Sequence, residues 1–109
     1  PIQGTKINVQ GSLNVISASV RTDVPITIGL STDKACSPMN VYGYSKSILE
    51  HCFLEANTKR NKFACTRFAN VALTSDSVIP LWKTLIEQDK PLRLTDVRMN
   101  RLRSSIGYV

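Results

Sequence analysis

The stretch "VPITIGLST", Val24 to Thr32, decides how this chain is expected to fold. Val24, Ile26, Ile28 and Leu30 alternate with smaller residues, and side chains of a strand point alternately to opposite faces, so the pattern predicts a buried strand. Upstream, Val9, Leu13, Ile16 and Val20 follow helical spacing and predict a helix over about residues 4–21 with one apolar stripe. Gly11 interrupts that helix, where a missing side chain would let another backbone approach. Downstream, a helix is predicted to start near Tyr42 or shortly before, to bury Ile48, Leu49, Cys52, Phe53 and Ala56, and to fade at "NTKRN". "KFACTRF", residues 62–68, reads as a second strand. Ser77 resembles a helix N-cap, with Pro80 tolerated in the first turn of a helix carrying Val78, Leu81, Trp82, Leu85 and Ile86. "PLRLT" then reads as a short strand or extended segment. Helices alternating with strands predict parallel βαβ units in an α/β sheet. Such sheets bind ligands beyond the carboxyl ends of their strands, here Ser31–Lys34 and Ala69–Ser75.

Bulk properties narrow the function. The chain has 109 residues, 42% of them hydrophobic and 20% charged, values typical of a globular chain rather than a disordered one. No apolar run approaches the roughly 20 residues of a membrane helix. "PIQGTKINVQ" has neither the basic nor the apolar region of a signal peptide and no initiator Met, so these residues are expected to come from within a longer chain. Cys36, Cys52 and Cys65 form no C-x-x-C pair and are odd in number, which predicts reduced thiols in a cytoplasmic setting. A single histidine, His51, stands in no zinc-binding spacing with them, so no metal site is expected. The net charge is +6, and four arginines fall between Arg93 and Arg103. No aromatic interleaving or helix-turn-helix pattern accompanies them, so no nucleic-acid partner is expected. A solvated basic face or a site for an anionic small molecule remains, because guanidinium binds phosphate bidentately.

The residues after the first strand carry chemistry. Within "STDKACSPMNVYGYSK", Ser31 to Lys46, lie an acid, Asp33, two amines, Lys34 and Lys46, and a phenol, Tyr42. Tyr42 and Lys46 are four apart on a predicted helix and share a face. A phenol is a poor base at neutral pH, and a nearby ammonium makes it a better one by stabilising phenolate. Such a couple can take the proton of a sugar or alcohol hydroxyl while a hydride leaves the same carbon. Thr32, at the strand end, can hydrogen-bond the reacting oxygen. Taken singly, "STD" reads as a turn or cap and Lys34 as a solvated lysine. Together, the acid–amine and phenol–amine pairs converge within one βα unit.

"LSTDKACSPMNVYGYSK" closely resembles the S-T-D-K-A-x-x-P-x-N-x-Y-G-x-[ST]-K segment of the UDP-N-acetylglucosamine 4,6-dehydratases, in the polysaccharide-biosynthesis and flagellin-glycosylation branch of the extended short-chain dehydrogenases. "TKINVQGSLNVI" is similar to the family's T-N-V-x-G-x-x-N-V helix, "TRFANV" to R-Y-G-N-V, "SVIPLW" to S-V-I-P-x-F and "TDVRMNRLR" to T-D-x-x-M-T-R-F. The resemblance implies a partial Rossmann-type parallel sheet with flanking helices. It also implies a nicotinamide cofactor, NADP or NAD, and a UDP-sugar substrate. In the roles it implies, Tyr42 takes the C4 hydroxyl proton, Lys34 takes the C5 proton, Asp33 protonates the departing C6 hydroxyl and Thr32 binds the reacting oxygen. Lys46 and Asn8 would serve the cofactor, and Asn70 and Arg101 the substrate. A homo-oligomer in the cytoplasm is implied with them.

The family's phosphate-binding G-x-x-G-x-x-G turn does not occur in these residues. The likeness therefore places residues 1–109 as a central to C-terminal piece of such a domain, truncated at both ends. By itself this piece is expected to be inactive, marginally stable and prone to associate. Ala69 replaces the glycine of G-N-V, "ALTSDS" replaces a G-S-R-G-S-like loop, Asn100 replaces Thr and Leu102 replaces Phe. These departures motivate a second expectation, a non-catalytic α/β binding or assembly module. A UDP-sugar 4-epimerase, using Tyr42 and Lys46 without Asp33 and Lys34, is a third.

Overall fold

A computed structural model describes residues 1–74, 77–100 and 103–104. They form two units, Pro1–Arg67 and Phe68–Val109. In the first, α1 (Ile2–Thr5), a π-helical segment (Lys6–Gln10) and α2 (Gly11–Arg21) follow one another without a break. Then come β1 (Ile26–Thr32), a 3₁₀ turn (Asp33–Ala35), α3 (Val41–Glu55) and β2 (Lys62–Phe68). β1 and β2 are hydrogen-bonded neighbours. The Lys62 N–H donates to the Pro25 carbonyl at 2.8 Å, and further along the Gly29 backbone meets the Cys65 thiol, so the two strands advance together and are parallel. Helix α3 makes the crossover between them, as the alternation predicts.

α3 starts at Val41 because Asn40 caps it: Asn40, in extended backbone, accepts the Gly43 N–H at 2.9 Å on its side-chain oxygen. Leu49 and Phe53 are buried from this helix and meet Phe63 of β2, with Ile16, Ala56 and Cys65 packed around them. The Phe53 and Phe63 rings are edge to face, with centroids 5.8 Å apart. Cys52 is only partly buried and Ile48 is exposed, so the inner face of α3 is narrower than its apolar pattern suggested.

The inner faces of β1 and α2 differ from expectation. Ile26, Ile28 and Leu30 are 64%, 57% and 62% exposed, while Gly29, Ser31 and Thr32 are buried. A β-carbon on Gly29 would lie 3.0 Å from Cε1 of Phe53, so only a residue this small admits the ring. α2 is mixed: Ser12 and Ser19 are buried and Leu13 and Val20 exposed, while Ile16 of the expected stripe packs against the core. Alternation predicts which side chains share a face, but not which face is covered. Gly11 has only the ordinary contact of its own helix nearby, so the close approaches occur at Gly29 and Gly43 instead.

The second unit contains β3 (Asn70–Val71), α4 (Val78–Glu87) and β4 (Arg103–Ser104). β3 and β4 pair in parallel, with Asn70 opposite Arg103. Ser77 holds the N-cap position of α4 in extended backbone, but its hydroxyl makes no capping bond. "PLRLT", residues 91–95, forms no strand.

Candidate active site

Thr32 ends β1, and its hydroxyl starts the next turn by accepting the Lys34 N–H at 3.4 Å. The same hydroxyl donates to Asp33 Oδ1 at 2.9 Å, and Lys34 Nζ reaches that oxygen at 3.1 Å. Both side chains are about two-fifths exposed, so the ion pair is open to solvent. The hydrogen bond from Thr32, opposed by partial burial and helped by the Lys34 ammonium, holds the Asp33 carboxyl below its ordinary value.

Across from this cluster, Lys46 Nζ donates to the Leu30 carbonyl at 3.0 Å, tying α3 to the carboxyl end of β1. Tyr42, one helical turn earlier, is 47% exposed. Between them Ser45 is buried; its hydroxyl donates to the Tyr42 carbonyl at 2.8 Å and accepts the Asn8 amide at 2.9 Å. Asn8 is engaged there, steadying the first turn of α3 from the π-helical segment. The turn bearing Asp33 and Lys34 lies directly on that first turn, because a β-carbon on Gly43 would stand 2.6 Å from the Lys34 carbonyl oxygen. The first unit thus brings Thr32, Asp33, Lys34, Tyr42, Lys46 and Asn8 to one end of one βα unit.

Asn70 lies in the second unit, half-buried on β3. Arg101 and part of the 69–75 segment, Ser75, fall outside the described residues. The arginine run divides. Arg98 makes a bidentate pair with Asp96 at 2.8 and 3.1 Å, while Arg93 and Arg103 line a cleft of about 390 Å³ beside Trp82.

One contact escaped the sequence reading. Arg67, on β2, grips Glu50, on α3, through two hydrogen bonds of 2.9 and 2.7 Å. Glu50 is buried, and the guanidinium holds its carboxyl below the ordinary value against the opposing effect of burial. The available signal was an acid beside Leu49 on the inner face of the helix, since buried acids require partners. Among the described residues no group of His, Cys, Asp and Glu side chains could hold a metal ion. Nor is any helix among them long and apolar enough to cross a membrane.

A parallel βα unit with acid, amine and hydroxyl at the strand end and a Tyr-x-x-x-Lys helix behind it is the architecture of an extended short-chain dehydrogenase. The X-ray structure of Pen from Bacillus thuringiensis superposes with a TM-score of 0.86 at 30% identity, over 93% of this chain and 33% of that one. A family model described as "Polysaccharide biosynthesis protein" matches residues 1–107, and the chain belongs to that family. A UDP-N-acetylglucosamine 4,6-dehydratase (inverting) of Campylobacter jejuni is 41% identical over 97% of this chain and 33% of its own length. A UDP-glucose 4-epimerase of Rickettsia felis is 37% identical over 97% of this chain and 32% of its own. The chain thus spans about a third of the length of the curated relatives it matches.

Proposed function

We propose that the protein containing these residues is a nucleotide-sugar 4,6-dehydratase, which converts UDP-N-acetylglucosamine to a 4-keto-6-deoxy sugar and water. The observation that carries this reading is the Lys34–Asp33 contact of 3.1 Å at the end of β1, seated on the helix of Tyr42 and Lys46. An elimination needs both a base for the C5 hydrogen and an acid for the departing C6 hydroxyl. In the resting structure these two groups form an ion pair. Moving one proton along their hydrogen bond, from Lys34 Nζ to Asp33 Oδ1, yields a neutral amine and a carboxylic acid, the states the elimination requires. Covering the pair with a sugar excludes water and favours the uncharged form.

Tyr42 accepts the proton of the C4 hydroxyl as C4 becomes a ketone, and Thr32 steadies the reacting oxygen. The ketone acidifies C5. Lys34 removes the C5 proton, and Asp33 delivers its proton to the C6 hydroxyl, which leaves as water. C6 regains the two electrons and hydrogen lost from C4, and Lys34 returns a proton to C5. Exchange with solvent restores Tyr42 and Asp33. When bound, a nicotinamide, NADP or NAD, supplies the transient hydride acceptor and donor.

The donor set fits that cofactor. The Lys46 ammonium has three N–H groups and engages one with Leu30, leaving donors for ribose hydroxyls. Asn8 would act through Ser45. Asn70 and Arg101 are proposed for the UDP-sugar, and the three free thiols fit a reducing cytoplasm.

The epimerase relatives favour a second reading, transient oxidation at C4 without elimination. Product analysis on UDP-N-acetylglucosamine, using the longest reading frame that contains this chain, separates the two. The expected product is the 4-keto-6-deoxy sugar. Lys34→Ala should abolish its formation, and Tyr42→Phe should abolish the preceding oxidation, each lowering turnover at least about a hundredfold. A C4-epimerised sugar with C6 intact would overturn the dehydratase reading.

A further inference from the structure

We propose that Gly43 is a positioning residue that sets the acid–base turn against the Tyr42 helix, so that its side chain size controls elimination separately from oxidation. This inference rests on the dehydratase reading. Gly43 is buried in the first turn of α3, with its N–H on the Asn40 cap. It is not there for backbone freedom, because no glycine among the described residues has a positive φ. Glycine in a helix costs about 1 kcal/mol relative to alanine. The neighbourhood supplies the reason for it. A β-carbon would stand 2.6 Å from the Lys34 carbonyl oxygen, 3.1 Å from Pro38 Cβ and 3.2 Å from Pro38 Cα. The first distance is far inside van der Waals contact, and the obstructing atom is backbone.

A methyl group at position 43 must therefore displace the Asp33–Ala35 turn, which carries both the base and the acid. Tyr42 and Lys46 lie on the helix itself, and the Lys46–Leu30 bond runs to the strand rather than to the displaced turn. Oxidation at C4 depends on the helix and on Thr32 at the end of β1, and proton removal at C5 depends on the Asp33–Ala35 turn. A displacement of about 1 Å can cost about a hundredfold in rate, so a small shift suffices to separate the steps.

The test is Gly43→Ala in the longest reading frame that contains this chain, compared with the unmodified protein on UDP-N-acetylglucosamine and cofactor. Three quantities are followed: absorbance of the reduced cofactor on mixing, deuterium entry at C5 from heavy water, and the thermal melting curve. The expected result is a cofactor signal within about threefold of the unmodified protein, with C5 exchange and product formation at least about tenfold slower. Parallel loss of the cofactor signal and C5 exchange would overturn the proposal, as would no loss of either. If Gly43→Ala fails to melt cooperatively, Pro38→Gly decides, because it loosens the opposite wall of the same seat and should give the same split. Failure of the unmodified protein to form a 4-keto-6-deoxy product would instead refute the dehydratase reading.

Discussion

Thr32 illustrates how much one hydroxyl can organise. It accepts the Lys34 N–H, which fixes the turn, and donates to Asp33 Oδ1, which fixes the carboxylate. That donation is the largest influence lowering the Asp33 carboxyl, ahead of the Lys34 ammonium. Thr32→Val keeps the shape and removes the donor. The Asp33 carboxyl should then titrate at higher pH, closer to its ordinary value of 3.8, as followed by the ¹³C shift of its carboxyl carbon. An unchanged titration would show that Lys34 alone sets it. Asp33, Lys34, Tyr42 and Lys46 stand out in the sequence as candidates because their chemistry is rare at such density. Their hydrogen-bond partners do not, since a side chain's partner depends on atoms brought near by folding.

At the level of elements, the Glu50–Arg67 contact ties the crossover helix to the second strand one turn beyond Lys46. Its pH dependence has a definite sign. The Glu50 carboxyl is lowered in the folded chain, so its contribution to stability is complete above the unfolded value, near 4.5, and is lost as pH falls through the folded value. Glu50→Gln should flatten that part of the acid-unfolding profile measured by circular dichroism; an acid limb identical to the unmodified chain would contradict it. Several elements were legible. The helix expected from near Tyr42 starts at Val41, Ser77 marks the start of α4, and "KFACTRF" coincides with β2. For "PLRLT" the sequence left a short strand and an extended segment open, and no strand forms, because a short apolar run becomes a strand only when a neighbour accepts its backbone hydrogen bonds.

At the scale of the first unit, Ile26, Ile28 and Leu30 of β1 are exposed while Gly29, Ser31 and Thr32 are buried. Ile26, Ile28 and Leu30 form a row on the side of β1 away from Phe53. Exposed contiguous apolar surface binds hydrophobic dyes. The 109-residue chain should therefore enhance the fluorescence of an anilinonaphthalene dye under native conditions. Replacing the three residues together by threonine, which keeps strand propensity, should remove most of that signal without lowering the melting temperature. Undiminished fluorescence in the triple variant would place the exposed surface elsewhere.

The alternation of helices and strands in the first unit, the parallel crossover and the choice of candidate reactive groups follow from the sequence alone, because periodicity and residue chemistry are local properties. "VPITIGLST" specifies a strand whichever of its faces is covered. Tertiary structure alone decided that the glycine–serine face meets Phe53, that Glu50 finds Arg67, and that Gly43 seats the Lys34 turn. Each depends on the distance between two segments that folding brings together, and steric contact and ion pairing have no signature until that distance is set.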